Sequence, residues 1–119
     1  MKKIYPPRGF YFSMKSGCYV NSHEIHLRHL SNHLSIGYIH LYKIGNSMET
    51  HSSLLLKYRR KGYGAKLYAK AIDWAIGNGY GAISSTSASE DAKRVWNGSY
   101  LKNRFSVKKI GKIFRARYK

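Results

Sequence analysis

The chain has 119 residues, the length of one domain with one hydrophobic core, and 43% of them are apolar, which excludes an intrinsically disordered chain. Against 22 lysines and arginines stand only five acids, a formal charge of +17 that favours nucleic acid, phosphorylated cofactors or acidic proteins and disfavours cationic ligands. The single cysteine, Cys18, excludes an intramolecular disulfide framework; no apolar run approaches the roughly 20 residues of a membrane helix, and the start lacks a signal-peptide pattern, so the expectation is a soluble cytoplasmic protein.

In the first half the apolar residues alternate as strands do. GFYFSMKSGCYV, 9 to 20, holds two aromatic or β-branched runs broken by Ser16-Gly17, the pattern of a hairpin, and Pro6-Pro7 limits where it can begin. HEIHLRHL, 23 to 30, sets Ile25 and Leu27 against His26 and Arg28. SIGYIHLYKI, 35 to 44, sets Ile39 and Leu41 against Tyr38, His40 and Tyr42, with Gly37 marking a bulge or a close backbone approach. METHSSLLL, 48 to 56, ends in three leucines, the continuous apolar run of a strand covered on both faces. Asn32 and Gly45-Asn46 supply the turns, so these three strands are expected to form an antiparallel meander.

From residue 63 the period changes. Gly64, Leu67, Tyr68, Ala71 and Ala75 share one side of a 3.6-residue helix that Gly77-Asn78-Gly79 ends. GAISSTS, 81 to 87, reads as a short strand, after which Ser87 or Ser89 caps a helix with Glu90 and Asp91 in its first turn, reaching about Leu101. RFSVKKIGKIFRARYK closes the chain as a strand pair turning near Gly111. No internal repeat divides the sequence, and residues 1–119 are expected to form a single domain.

Between the leucines and the first helix lies KYRRKGYGAKLY, 57 to 68. A glycine turn opening a helix leaves backbone N–H groups without partners, adds the positive end of the helix dipole, and lets a phosphate approach closely. Arg59, Arg60 and Lys61 add full charges, making a phosphate cradle; an ordinary tight turn with a solvated basic flank is the competing reading. The ending Gly-Lys-Ser/Thr of a P-loop is absent, and Leu67 stands where a dinucleotide fingerprint needs a third glycine.

The stretch LLLKYRRKGYGAKLYAKAIDWAIGNGYGAISSTSASEDAKRVW resembles the core of the GCN5-related N-acetyltransferase (GNAT) superfamily. Arg59, Gly62 and Gly64 match that family's Arg/Gln-x-x-Gly-x-Gly/Ala motif. Ser89, Ala92, Val95 and Trp96 fall in the places of Asn-x-x-Ala-x-x-Leu-Tyr, and NRFSV is similar to the Gly-Phe-x-Val that begins the final strands. The resemblance implies an α+β fold: a mixed, mostly antiparallel sheet splayed between its central strands, two main helices at about 63–77 and 89–101, and a truncated amino terminus.

It further implies acetyl-CoA, or a related acyl-CoA, as co-substrate, no metal, and direct transfer of the acyl group to an amine. The pantetheine arm would pair with the backbone of Leu54, Leu55 and Leu56, and the pyrophosphate would sit on the turn Arg59, Arg60, Lys61, Gly62, Tyr63, Gly64 and Ala65. Ser89 would lie near the thiol end and Trp96 near the thioester. Small GNAT-like proteins of bacteriophages carry a similar helix, which implies a phage origin and a host cytoplasm.

Three features depart from the family pattern. Trp96 stands where a tyrosine commonly protonates the departing thiolate, and an indole N–H donates hydrogen bonds without being a useful acid; Tyr100, one turn on, is the substitute if the helix continues. Glu49 falls about one residue from the expected base, and His51, on the same strand face, is the alternative. Residues 1–34 look like strands and turns where family members place two helices. The high positive charge points to an amine on an acidic or nucleic-acid-associated acceptor, such as aminoacyl-tRNA.

A catalytically inactive scaffold binding a host protein or nucleic acid is the alternative function. Eleven tyrosines, and eight lysines or arginines with no acid over 102–119, suit a nucleic-acid surface, though β propensity also explains the tyrosines. His23, His26, His29 and His33 alternate faces on a strand and are not expected to converge on a metal.

Overall fold

The computed structural model describes residues 3–17 and 21–119. Cys18, and the second run of the expected hairpin at 18–20, lie outside the described residues.

Among the described residues seven strands form one sheet: β1 (Phe10–Ser16), β2 (Ser22–His29), β3 (Ser35–Ile44), β4 (Ser47–Leu54), β5 (Gly81–Ser84), β6 (Phe105–Ile110) and β7 (Ile113–Tyr118). Their order across the sheet is β1-β2-β3-β4-β5-β7-β6. The expected meander is β2, β3 and β4, extended at its edge by β1, which pairs antiparallel with β2 from Phe10↔His29 to Ser16↔His23. Among the described residues only β4 and β5 run parallel, and a parallel pair needs a crossover, which α1 (Tyr63–Gly77) supplies.

Cross-strand register assigns the two faces. Ile25↔Ile39, Ile39↔Ser52 and Leu41↔Thr50 set Ile25, Ile39, Leu41 and Thr50 on the face that α1 covers with Leu67, Ala71, Ile72 and Ala75. The remaining two helices, α2 (Glu90–Asn97) and α3 (Ser99–Arg104), pack against α1 and so join it on this face. The opposite face carries Glu24, His26, Tyr38, His40, Tyr42, Glu49 and His51.

Gly37 combines both roles expected of it. A Cβ there would lie 2.7 Å from the Ser53 carbonyl oxygen and 2.6 Å from Leu54 Cδ1, and the β2–β3 register shifts beside it at Leu27/Arg28.

Three expectations need correction. The leucine run is not a strand buried on both faces: β4 ends at Leu54, a 3-10 turn follows over Leu56–Tyr58, and Leu55 and Leu56 are 54% and 77% exposed. Arg59 locks that exit, since its Nε donates to the Leu54 carbonyl at 2.9 Å. The strand after α1 stops at Ser84, where Ser85 and Ser87 turn to hydrogen-bond each other. The helix from Ser89 runs in two pieces, because Gly98 is extended at φ −77° and ψ 159°, closing α2 and opening α3.

Candidate functional site

Partner strands β4 and β5 pair only from Ser47↔Gly81 to Thr50↔Ser84. Beyond that point β4 continues to Leu54 with no β5 partner, so the sheet opens and one edge of Ser52–Leu54 is left without a neighbouring strand. A cleft of about 760 Å³ occupies the opening, bounded by Ser52–Leu54, by Arg59, Arg60, Gly62, Gly64 and Ala65, and by Ser89, Asp91 and Arg94 of the second helical segment.

The turn is built to present donors. Arg60 and Gly62 both adopt the left-handed region, at φ 61° and 82°. Gly62 is the residue before the helix, no side chain caps α1, and its first turn holds no acid. The first amides of α1 therefore lack intrahelical acceptors, and the dipole is uncompensated. A Cβ at Gly64 would meet only Val95 Cγ2, at 3.8 Å, so glycine here keeps the cleft wall low rather than relieving a clash.

An anion already occupies the neighbourhood. The Asp91 carboxylate lies 2.7 Å from Arg94 Nη1 and 3.7 Å from Arg60 Nε, bridging the turn to α2 across the cleft mouth. Two guanidinium groups sharing one carboxylate leave net positive charge at a place where amides also converge. This donor set fits a pyrophosphate.

Of the remaining residues the sequence pointed to, Ser89 lines the cleft and caps α2, its Oγ accepting from Ala92 N–H at 3.1 Å. Leu54 lines it as well. The backbone of Leu55 and Leu56 is engaged elsewhere: Leu55 N–H donates to Ile36, and the carbonyls of Leu55 and Leu56 accept from Tyr58 and Arg59. Lys61 is exposed and does not line the cleft, and Tyr63 packs on Phe10 and Tyr58.

Trp96, expected beside the thioester, is fully buried, stacked on Phe114 at 5.9 Å and edge-on to Tyr68 at 5.8 Å. It belongs to the core and does not line the cleft; its indole N–H finds no partner among the described residues. Tyr100, expected one helical turn further on, follows the Gly98 break instead, with the Arg104 guanidinium 3.7 Å over its ring.

The residue missed is Tyr68. It lines the cleft, is 2% exposed, and donates from its hydroxyl to Ser52 Oγ at 2.9 Å. Burial pushes its phenol pKa above the ordinary range, against the smaller opposite effect of the Ser52 hydrogen bond. A tyrosine on the apolar stripe of a helix reads as core, and nothing in its spacing marks it as bordering a gap in the sheet.

Glu49 and His51 lie on the helix-free face. His51 Nε2 and Glu49 Oε1 are 2.7 Å apart, and both line a second, open groove of about 560 Å³ with Tyr38, His40 and Tyr42. This groove and the cleft are both bordered by Ser52 and Ser53, beside the point where the sheet opens.

The other histidines are dispersed. His26 bonds Glu24 and Ser35, His29 bonds Tyr58, His33 bonds Tyr11, and His23 packs on Trp74. Among the described residues no group of three or more His, Cys, Asp or Glu converges as metal ligands, and no helix is long and apolar enough to cross a membrane.

A mixed sheet opening beside a parallel strand pair, with a glycine-turn helix and a basic cleft at the opening, defines an acetyltransferase-type architecture. Residues 31–97, over half of the chain, match the Acetyltransferase (GNAT) family, and the protein belongs to that family. No curated protein matches the chain by sequence.

Among solved structures it is similar to the PaiA N-acetyltransferase of Thermoplasma acidophilum in complex with coenzyme A, at 21% identity and TM-score 0.54, covering 81% of this chain and 59% of that one. The spermidine N-acetyltransferase of Vibrio cholerae aligns at 15% identity and TM-score 0.57, over 82% of this chain and 64% of that one. The ribosomal-protein-S5-alanine acetyltransferase of Vibrio fischeri aligns at 16% identity and TM-score 0.58, over 82% and 62%. The chain thus spans less than two thirds of each neighbour's length.

Proposed function

We propose that the protein is an acyl-CoA-dependent N-acyltransferase that moves an acetyl or related acyl group directly to an amine. The observation that carries this is the junction at Ser52–Ser53: a basic cleft with open amides on one side of the sheet opening, and a groove holding a carboxylate–imidazole pair on the other. When bound, acyl-CoA supplies the activated carbonyl.

The chain's own groups divide the remaining work. Gly62, Gly64 and Ala65 let the helix amides reach the pyrophosphate, and Arg59, Arg60 and Arg94 add charge. The free edge of β4 at Ser52–Leu54 offers backbone groups to the pantetheine arm. As the N–C bond forms and the C–S bond breaks, the Glu49–His51 pair accepts the proton lost by the amine. Tyr68 takes the place of Tyr100 in this reading as the group that returns a proton to the leaving thiolate, through or beside Ser52.

The acceptor is an amine that tolerates a strongly basic protein, one displayed on an acidic or nucleic-acid-associated molecule, and the setting is the cytoplasm, of a host if the protein is phage-encoded. The test is mass spectrometry of a panel of acidic peptides and aminoacylated RNAs incubated with acetyl-CoA and either wild type or Glu49→Gln. A 42-dalton gain that falls at least tenfold in the variant is expected from general-base catalysis, which is typically worth 10²–10⁴. Acetylation unchanged in Glu49→Gln would remove the carboxylate from the mechanism.

A further inference from the structure

The helix-free face of the sheet carries more than the groove. Register places Tyr42 opposite Glu49, Glu49 opposite Ile83, Ile83 opposite Arg115 and Arg115 opposite Lys108, so one row of side chains crosses five strands from β3 to β6. At the β3 end the row begins in an aromatic pad: His40 and Tyr42 stack at 4.2 Å with 14° between their planes, and His51 meets Tyr42 edge-on at 5.4 Å. Tyr38 continues the pad beside His26, at 5.2 Å.

At the β6–β7 end the row becomes cationic. Lys108 and Arg115 are direct cross-strand partners on one face, and Arg117 follows two residues along, opposite Ser106. Like charges placed opposite each other destabilise a strand pair, and among the described residues none of these three cations has an acidic partner. Arg115 Nε is buried and finds no hydrogen-bond acceptor among the described residues. The two acids on this face are already committed, Glu24 to His26 and Lys15, and Glu49 to His51.

We propose that this face binds single-stranded nucleic acid, with phosphates on Lys108, Arg115 and Arg117 and bases against the Tyr38–His40–Tyr42 pad. Strand spacing makes the row about 19 Å long, room for roughly four nucleotides, the low end of single-strand sites. A duplex hides the base faces that the pad would stack on, so single strands are preferred. An acidic protein would satisfy the cations and leave the aromatic half of the row unused. The inference rests on the sheet face; it shares the groove of Glu49 and His51 with the proposed transferase but not the acyl-CoA cleft.

Fluorescence anisotropy with a labelled 12-nucleotide single strand, titrated from 50 to 300 mM salt, tests it. Lys108 and Arg117 are exposed, so Lys108→Ala/Arg117→Ala keeps the fold. It is expected to lower the slope of log K against log salt by about 1.4, the loss of two phosphate contacts. Tyr42→Leu, with the ring removed and bulk retained, is expected to weaken binding about tenfold. Lys3→Ala/Arg8→Ala removes the same charge from the amino-terminal segment and serves as control.

Equal weakening by both double variants would overturn the proposal, since diffuse charge would then suffice. Duplex bound as tightly as single strand, or poly-glutamate bound as tightly and indifferently to Tyr42→Leu, would overturn it too. Acetyl-CoA titration of each variant is read alongside: nucleic-acid binding lost with acyl-CoA binding intact marks the sheet face, whereas the converse would reflect only on the transferase reading.

Discussion

Asp91 stands where the cofactor's negative charge would press, and Asp91→Asn asks whether the cleft is an anion site held partly closed by its own carboxylate. An anion on the far side of the Arg60 guanidinium lies about 7 Å from Asp91, given a 3.7 Å Arg60–Asp91 approach and a charge-assisted bond of about 3 Å beyond it. At that distance and solvent-like dielectric each unit of anion charge is repelled by about 0.6 kcal/mol, so two units cost about 1.2 kcal/mol. The variant is therefore expected to bind coenzyme A about five- to tenfold more tightly at 50 mM salt, with the gain shrinking at 500 mM as screening takes over.

The fold should survive, because Asp91, Arg60 and Arg94 are 43–73% exposed and such surface pairs contribute at most about 1 kcal/mol each. Isothermal titration of both proteins at the two salt concentrations is the assay. Weaker binding by Asp91→Asn in low salt would refute the reasoning, since it would mean that Asp91 organises the arginines for the ligand instead of competing with it.

Gly62→Ala forces a side chain into φ 82° and is expected to cost about 1–2 kcal/mol of stability, read as a lower urea midpoint at unchanged slope. Trp96→Ala empties the layer between Tyr68 and Phe114 and is expected to cost about 3–5 kcal/mol, whereas Trp96→Phe should be far milder because it also removes the unpaired indole N–H. Acidification should destabilise the protein in two windows. Burial holds the His40 pKa below its ordinary 6.5, so stability falls as the unfolded chain gains that proton below pH 6.5. The His26 hydrogen bond holds the Glu24 carboxyl below its ordinary 4.5, so the stability it contributes is present above that pH and lost as pH falls through the depressed value. Urea midpoints from pH 8 to 3 should show both, with His40→Gln removing the first and Glu24→Gln the second.

The meander and α1 were legible because period-2 alternation and the Gly77-Asn78-Gly79 stop are local signals, and α1 ends at Gly77 as that stop predicts. The basic glycine turn ahead of α1 was legible for the same reason: Arg59, Arg60, Lys61, Gly62 and Gly64 lie in one short stretch. What sequence could not supply is whatever depends on where β4 and β5 part. The leucines look like a buried strand until Arg59 turns the chain at Leu54, and Tyr68, a buried core residue, borders the cleft only because its hydroxyl reaches Ser52 where β4 has lost its β5 partner. Trp96 sat at the right spacing for a cofactor contact, yet a bulky indole on that helix stripe fills the space over Phe114. The aromatic-to-cationic row is invisible in one dimension, because its members span residues 42 to 115 and meet only through strand register.

Calorimetric titration with acetyl-CoA tests most directly whether the Arg59–Ala65 turn and the opened edge of β4 form an acyl-CoA site. Wild type is expected to bind one equivalent, while Gly64→Glu, whose Cβ meets nothing nearer than Val95 but whose carboxylate would enter the cleft, is expected to lose that binding and remain folded by circular dichroism. No heat of binding for wild type at millimolar acetyl-CoA, or equal binding by folded Gly64→Glu, would contradict it.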